Sequence, residues 1–453
     1  MNRHSLSPVM SDLSSYVALA PRKALPAAVL EKTKHHILDT LAAMVSGSRL
    51  LPGRKAISFV KSLGGAKEAC VVGSRIVTNA VNASLANGMC AHADETDDSH
   101  AASLTHPGCG VVPAALAIAE RERRSGAVLL RAVALGYDVG CRLTLSLDPY
   151  RFREAGHSTH SFGPTFGAAA ACAALAGLKA PQVRHALSYA AQQASGISCW
   201  MRDPEHVEKA FDFGGMPARN GVTAAAMAAQ GLSGVEDVFS GERSFFVAYP
   251  GEPQMLTRGL GETFEIMNAS IKRWSVGSPI QAPLDSLVEL IKENEFAVGD
   301  LKNVVVRVAH QGANTVDNRD MPDICMQHMC AVMLLDGTVS FKSSHDEKRM
   351  RDPRLLAVRQ KVQLFGDDAM SAAMPSRQGI VELELADGRR LRHHTPAVRG
   401  TPDNPMTRAE VDAKSHDLLA PVLGRARARK LCDAVWKLDK IDDVRSLRPL
   451  LRV

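Results

Sequence analysis

Aromatic side chains are scarce in this sequence, where Phe, Trp and Tyr together make up only 5% of 453 residues. No run of about eighteen uncharged apolar residues occurs, so no membrane-spanning helix is predicted. The first residues, MNRHSLSPVMSDLSSYV, lack the apolar core of a secretory signal peptide. Nine dispersed cysteines include no Cys-x-x-Cys pair, which favours buried, reduced thiols over a disulfide framework. We therefore expect a cytoplasmic globular protein.

Several functional signatures are also missing. The sequence has no GxGxxG fingerprint, no P-loop lysine motif and no GxSxG nucleophile elbow. The net charge of +6 is mild for this length, and the basic cluster at 425–430 has no aromatic residues interleaved with it. We therefore expect no nucleic-acid partner. A mild positive charge is compatible with a small anionic substrate without arguing for one.

The sequence does contain many alanine-rich apolar segments at helical spacing, which predict closely packed helices such as 127–145 and 168–178. The pattern changes after Leu301, where 302–309 has strand character and 379–385 with 389–393 resembles a hairpin. The predicted fold is therefore mainly α, with a large all-helical domain built from both chain ends and a smaller inserted α+β domain. The predicted boundaries are 1–275 for the first helical part, 276–400 for the α+β domain, and 401–453 for the helical segment that completes the first domain.

The most distinctive stretch is 91–110, AHADETDDSHAASLTHPGCG. It holds four carboxylates and three histidines but no Lys or Arg; these are Asp94, Glu95, Asp97, Asp98, His92, His100 and His106. Acids crowded in this way repel one another unless a metal, basic side chains from elsewhere or shared protons balance them. A polar loop that only caps helices is the structural alternative.

A metal site is not the favoured interpretation of this loop. The pattern HxDxxDDxH offers oxygen and nitrogen ligands, but its spacing fits no closed zinc or calcium motif, and no helical HxxxH pair is present. A magnesium-dependent terpenoid-type synthase would need a second acidic motif and an aromatic cavity. We find neither convincingly in the sequence.

Proton chemistry is the alternative, because a carboxylate beside a histidine can serve as an acid or a base. Such a site needs cations to hold an anionic substrate, and the candidates are Lys209, Arg219 and the adjacent pair Lys272 and Arg273. A second loop, predicted over 156–167, contributes His157 and His160. We also predict a long irregular connection over 198–221. Loops of this length are uncommon in a compact helical domain unless they serve a site.

Taken together and in order, several motifs resemble the MmgE/PrpD family, which includes 2-methylcitrate dehydratase, cis-aconitate decarboxylase and iminodisuccinate epimerase. The similarity runs nearly end to end. It is carried by ILDTLAAMVSG, ANGMCAHADETDDSH, THPGCGVVPAALAIAE, GHSTHSFGPTFGAAAA, GGMPARNGVTAA, SIKRWSVGSPIQAPLDSL and CMQHMCAVMLLDG. The resemblance implies the same two-domain fold, a homodimer, and a site that needs no metal and no cofactor.

The resemblance also implies site residues in the acidic loop. The family loop usually reads DFDDT followed by HP, which here becomes 95–99, ETDDS, and then His106-Pro107. Glu95 therefore stands where the family has Asp, and Ser99 stands where it has Thr. Asp97 and Asp98 match the paired family acids, and His106 matches the family histidine.

Elsewhere, His157 matches the histidine that opens the second family loop, and Thr159 follows two residues later. Lys272 matches the family lysine of the Lys-x-(Tyr/Trp) segment. Lys209 is the best match to a further family lysine, one residue out of register. His328 replaces a family tyrosine just before the LLDG helix end.

These matches imply a metal-independent lyase that acts on a small di- or tricarboxylate by dehydration or decarboxylation next to a carboxylate. Lys209, Arg219 and Lys272 would hold the substrate, with Asp97, Asp98, Ser99, Thr159 and His328 completing its binding site. His106 and His157 would transfer protons, while Glu95 or a neighbouring acid orients them. Two alternatives stay open: an epimerase of an iminodisuccinate-like dicarboxylate, and a non-catalytic polycarboxylate-binding protein.

Overall fold

A computed structural model describes residues 6–453, and residues 1–5 of the predicted first domain lie outside the described residues. The chain forms two compact units. The first comprises 6–93, 97–269 and 418–453, and the second comprises 94–96 and 270–417. The three-residue segment 94–96 is thus grouped apart from the residues on either side of it. None of the helices in the described part of the chain is long and apolar enough to cross a membrane.

The first unit is built almost wholly of helices, which confirms the prediction of a mainly α protein. Its longer helices are Pro8–Leu19, Ala27–Gly47, Leu51–Leu63, Ala80–Ala91, Pro107–Arg121, Gly126–Ser146, Thr159–Leu175, Ala180–Gln193, Met216–Ala229 and Arg425–Trp436. Short helices cover Pro149–Glu154, Val207–Ala210, Phe245–Ala248 and Arg448–Leu451. One antiparallel pair of two-residue strands, Ala69–Cys70 and Val77–Thr78, joins them.

The alanine-rich helix Thr159–Leu175 lies at the centre of this unit, with every residue except His160 buried. It packs closely against the helix Gly126–Ser146. A side chain on Gly167 would place its Cβ 2.3 Å from the carbonyl oxygen of Gly136. The two backbones therefore touch, and only small residues allow this approach.

Two predicted loops are largely helical in the structure. The loop expected over 156–167 becomes helix from Thr159 onwards, and the connection expected over 198–221 is mostly ordered. The elements within 198–221 are a 3-10 turn Ser198–Arg202, the helix Val207–Ala210, a π-helical turn Phe211–Gly215 and the start of the helix Met216–Ala229. Glycine and proline suggested loops here, but these glycines serve close packing, and Pro217 sits near a helix start where proline is well tolerated.

The second unit contains a four-stranded sheet in the order Val362–Asp367, Leu301–Ala309, Gly379–Leu385 and Arg390–Thr395. The first pair is parallel and the other two are antiparallel. The predicted strand and hairpin are therefore confirmed. The helices are Gln281–Glu293, His310–Val316, Met326–Asp336, Phe341–Ser344, Pro353–Arg359, Asp368–Ala372 and Arg408–Leu423, the last of which contains the division between the units.

The apolar faces of this sheet and its helices share one core. Val304, Val306 and Val308 alternate along the central strand and are buried with Leu284 and Met329 from the neighbouring helices. The helix that begins at Arg408 is preceded by Thr407, whose hydroxyl accepts from the Glu410 amide while the Glu410 carboxylate accepts from the Thr407 amide. This reciprocal capping box agrees with the sequence pattern.

Candidate active site

Asp97 lies between two histidines at the ends of two helices. Its Oδ2 is 2.9 Å from Nδ1 of His92, which follows the helix Ala80–Ala91, and its Oδ1 is 3.0 Å from Nδ1 of His106, which precedes the helix Pro107–Arg121. Burial alone would raise the pKa of Asp97, but the two imidazoles hold it well below its usual value. The carboxylate is therefore ionised and accepts a hydrogen bond at each oxygen.

This arrangement fixes the tautomer of both rings. An ionised carboxylate can only accept, so each imidazole must carry a hydrogen on Nδ1 and donate it to Asp97. In each neutral ring, Nε2 then carries the lone pair. The His106 side chain is 11% exposed, whereas the His92 side chain is fully buried. His106 is therefore the member of this triad that can reach a substrate.

The Phe213 ring is stacked between two histidines. Its centroid is 4.2 Å from that of His92 at an interplanar angle of 18°, and 3.7 Å from that of His160 at 11°. Two rings at these distances would overlap on one face, so they occupy opposite faces of Phe213. The His160 ring also lies 5.3 Å from the His106 ring.

Phe213 reaches this position from a π-helical turn, an element that often marks functional sites. The adjoining Gly214 touches the helix that ends beside His92. A Cβ on Gly214 would lie 2.1 Å from the carbonyl oxygen of Gly88. Any side chain at Gly214 would therefore push Phe213 away from its histidine partners.

The structure brings His160, and not His157, into contact with His106. His157 stacks on Phe152 with centroids 4.4 Å apart, and its ring lies 5.7 Å from that of Tyr249. Burial, followed by the nearby His106 and His92, holds the pKa of His160 well below its usual value, so its ring is neutral at physiological pH. The sequence singled out both histidines, but the resemblance carried only His157 into the site.

Three predicted substrate-binding residues, Thr159, Asp98 and Ser99, are buried, and the first two form hydrogen bonds within the protein. Thr159 donates its hydroxyl hydrogen to the Leu104 carbonyl at 2.6 Å. Asp98 accepts from Nδ1 of His36 at 2.6 Å, from the Tyr137 hydroxyl, and from the amide of Gly108. Ser99 is buried. Burial raises the pKa of Asp98, but His36 and then Tyr137 lower it more, so Asp98 is an ionised structural acid.

Lys209 lies beside the aromatic cluster, and its role as a site residue stays a prediction. Its ammonium is 5.3 Å from the Phe213 centroid and 5.5 Å from the Trp200 centroid. Its backbone amide donates to Asp203. A cation over aromatic faces at this range is attracted to them, so Trp200 and Phe213 hold a positive charge close to His160.

Arg219 has different neighbours. Its Nε and Nη2 donate to Oδ1 of Asn220 at 3.1 and 2.9 Å, and its guanidinium lies 5.5 Å from the Phe211 centroid. Burial lowers its pKa. These contacts do not include the histidine cluster, so the role of Arg219 in substrate binding stays a prediction.

Another buried acid, Asp212, lies beside the aromatic cluster and was not among the predicted site residues. Asp212 accepts a short hydrogen bond from the Ser158 hydroxyl, which in turn accepts from Trp200 Nε1 at 3.3 Å. Burial raises the pKa of Asp212 to about 7. Its position directly before Phe213 was the available signal, but a lone Asp in an apolar run carries little information by itself.

In the second unit, three basic side chains contact the three residues 94–96. Lys272 Nζ donates to the Glu95 carbonyl at 2.7 Å and lies 3.6 Å from its Oε2. Lys414 Nζ donates to the Thr96 carbonyl at 2.9 Å. His345 Nε2 lies 3.0 Å from Asp94 Oδ2. Within this unit, Lys272 and His345 thus supply positive charge to Glu95 and Asp94.

His328, also in this unit, is fully buried on the helix Met326–Asp336. Burial lowers its pKa to about 4, with Arg359 and Arg349 adding to the effect. Neither ring nitrogen has a hydrogen-bond partner among residues 6–453. It is a neutral imidazole where the family has a phenol, and its contact with substrate stays a prediction.

A metal ion could in principle be drawn to His92, Asp97 and His106, because each offers a ligand atom within 4.8 Å of the others. The hydrogen bonds from both Nδ1 atoms to Asp97 explain why these three side chains lie together without requiring a metal ion. We therefore describe these residues as a hydrogen-bonded triad. The prediction that the site needs no metal remains to be tested.

Two family models and several known proteins match this chain. Residues 11–256 match the MmgE/PrpD N-terminal domain, and residues 274–439 match the MmgE/PrpD C-terminal domain. The chain is 27% identical to "Cis-aconitate decarboxylase-like protein oryM" of Aspergillus oryzae, over 65% of this chain and 64% of that protein.

Two further relatives match over most of their length. The chain is 25% identical to "Cis-aconitate decarboxylase" of Homo sapiens, over 94% of this chain and 90% of that protein. It is 22% identical to "Cis-aconitate decarboxylase" of Aspergillus terreus, over 98% and 96% respectively. Because the two domain matches together span most of its length, this chain belongs to the MmgE/PrpD family.

Proposed function

We propose that this chain is a metal-independent lyase that acts on a small di- or tricarboxylate by dehydration or decarboxylation next to a carboxylate. The observation that carries the proposal is the His92–Asp97–His106 triad, in which the more exposed His106 has its tautomer fixed by an ionised acid. The names of the cis-aconitate decarboxylase relatives support the substrate class.

The chemistry requires a mobile proton and a nearby positive charge. In a decarboxylation, the C–C bond to the departing carboxylate breaks, carbon dioxide leaves, and the remaining electron pair takes up a proton. In a dehydration, a base removes a proton next to a carboxylate and hydroxide leaves with a proton as water. His106 Nε2 is suited to move the proton in either case.

Lys209 is suited to stabilise the charge that develops on a substrate carboxylate. Its ammonium is held against Trp200 and Phe213, in the same cluster as His160. A positioned cation of this kind stabilises an oxyanion without needing to reorganise. Removing one such donor typically lowers kcat by roughly a hundred- to a thousandfold.

An epimerase is less well supported by the same geometry. An enzyme with two bases places them on opposite faces of the stereocentre, with the carbon between them. The rings of His106 and His160 have centroids only 5.3 Å apart, and those of His92 and His106 only 5.0 Å. These pairs leave no room for a substrate carbon between the rings.

The test is a panel of cis-aconitate, 2-methylcitrate and iminodisuccinate in deuterated water, followed by NMR. A lyase forms a new product, an epimerase exchanges the α-hydrogen without net product, and a binding protein only raises the melting temperature. His106→Ala should abolish turnover. The control is His310→Ala, which removes a largely exposed histidine paired with Asp368 and should retain turnover. Full turnover by a folded His106→Ala variant would overturn the proposal.

A further inference from the structure

We propose that His92 is a positioning residue that acts through Asp97 to set the proton affinity of His106. Neither the family resemblance nor the relatives' names assign His92 a role. The inference concerns the proposed active site, and its activity readout rests on the proposed function. Its spectroscopic readout does not.

The first observation is that the two oxygens of Asp97 are divided between the two histidines. Oδ1 accepts from His106 at 3.0 Å, and Oδ2 accepts from His92 at 2.9 Å. Both the His92 ring and the Asp97 carboxylate are fully buried. The negative charge of Asp97 therefore acts on two imidazoles at nearly equal distance, and both rings share it.

The second observation is that His92 is fixed by packing and is unsuited to contact a substrate. It stacks on Phe213 at 4.2 Å and meets the His106 ring edge-on at 5.0 Å. Its Nε2 is buried and has no hydrogen-bond partner among residues 6–453. A buried polar atom without a hydrogen-bond partner lowers the stability of the fold. An apolar side chain at position 92 would avoid this cost.

The charged groups around the two rings determine how His92 can affect the pKa of His106. The titratable and charged side chains near this cluster, apart from Asp97, include His160, His206, Lys209 and Arg153. Burial keeps the His160 ring neutral, so His160 does not repel a positive charge on His106. Lys209 disfavours protonation of the cluster by like charge. Asp97 contacts both rings, so His92 competes with His106 for its negative charge.

Loss of His92 should therefore strengthen the hold of Asp97 on His106. With one donor removed, the carboxylate acts on His106 alone and favours its charged form. The pKa of His106 should rise by about 0.5 to 1 in His92→Phe, and kcat should fall by up to about three- to tenfold near neutral pH as neutral His106 is lost. KM should stay within about twofold, because His92 is buried away from the substrate.

His92→Asn provides the matched control, since its amide can donate one hydrogen bond to Asp97 but cannot take up a proton. It should return the pKa of His106 and the kcat profile towards those of the wild type. The pKa is measured from the pH dependence of the His106 Cε1–H signal, assigned with His106→Ala. An unchanged pKa in His92→Phe, or an Asn variant no closer to the wild type than Phe, would show that His92 is only packing.

Wild-type protein gives a second test if His92→Phe does not fold. Nitrogen-15 spectra of labelled histidine distinguish the two neutral tautomers, and both His92 and His106 should carry hydrogen on Nδ1. A hydrogen on Nε2 of His92 would overturn the inference. Because this measurement needs no substrate, it tests His92 even if none of the three carboxylates is turned over, a result that would count only against the proposed function.

Discussion

Lys272 and Glu95 are joined through both the backbone and the side chain of Glu95. The Lys272 ammonium donates to the Glu95 carbonyl at 2.7 Å and lies 3.6 Å from its carboxylate. Only 3% of the Lys272 side chain and 9% of the Glu95 side chain are exposed. Lys272 thus balances Glu95, the acid that stands where the family has Asp, and its role in substrate binding stays a prediction.

This pairing predicts unequal effects of removing each partner. Lys272→Ala should lower the free energy of unfolding by about 3 to 5 kcal/mol, because it leaves a buried carboxylate without its cation. Glu95→Gln keeps the carbonyl acceptor and should cost only about 1 to 2 kcal/mol. Urea denaturation monitored by circular dichroism measures both. Equal losses in the two variants would show that the Glu95 carbonyl alone does not compensate the buried Lys272 ammonium.

The ion pair between His345 and Asp94 predicts a pH-dependent stability. Burial alone would lower the pKa of His345, but its hydrogen bond and charge interaction with Asp94 raise it from 6.5 to about 9. A raised pKa in the folded state means that the stabilisation is fully present below about pH 6.5 and is lost as the pH rises through about 9.

We expect wild-type protein to exceed His345→Gln in stability by up to roughly 3 kcal/mol at pH 6, with the difference shrinking towards pH 9.5. Urea denaturation at the two pH values measures this. His310→Gln, which removes a more exposed ion pair, is the control and should show little pH-dependent difference. A gap between wild type and His345→Gln that stays constant with pH would contradict the assignment.

Sequence reasoning located the acidic loop and His106 because their residue types are unusual together in one short stretch. It could not show that Asp97 faces His92 as well as His106, since that depends on where two helices end. Nor could it separate Asp98, which binds His36 from a distant helix, from Asp97 beside it. Adjacent acids look alike in a sequence, whereas their partners come from the tertiary fold.

The predicted loop at 156–167 shows a second limit of prediction from the sequence. The histidine-containing run at 156–167 looked irregular because glycine and proline usually interrupt helices. In the structure those glycines allow two helices to touch, as Gly167 does against Gly136. Because the helix begins at Thr159, its first turn places His160 beside Phe213, whereas His157 lies before the helix and stacks on Phe152. The choice between these histidines therefore depended on a helix start that the sequence pattern concealed.

That choice yields a direct prediction. His160→Ala should reduce kcat by about a hundredfold or more, the size expected for a group that acts on proton transfer, because His160 contacts His106 and Phe213. His157→Ala should have the smaller effect, because its ring packs on Phe152 and Tyr249. Steady-state kinetics with the substrate found in the panel compare the two. A larger loss in His157→Ala would support the catalytic role of His157 that the family resemblance implies and count against His160.

Metal removal gives the last prediction. Both oxygens of Asp97 accept hydrogen bonds from imidazole Nδ1 atoms, and these bonds balance the acid by sharing hydrogens rather than by binding a cation. We therefore expect dialysis against a strong chelator to leave kcat/KM within about twofold of the untreated enzyme, with proton sharing supplying the charge balance. Protein dialysed without chelator is the control, and metal content is measured in both samples. A loss of activity that a divalent cation restores would show that the triad binds a metal, because the ion would then take the place of the Nδ1 hydrogens.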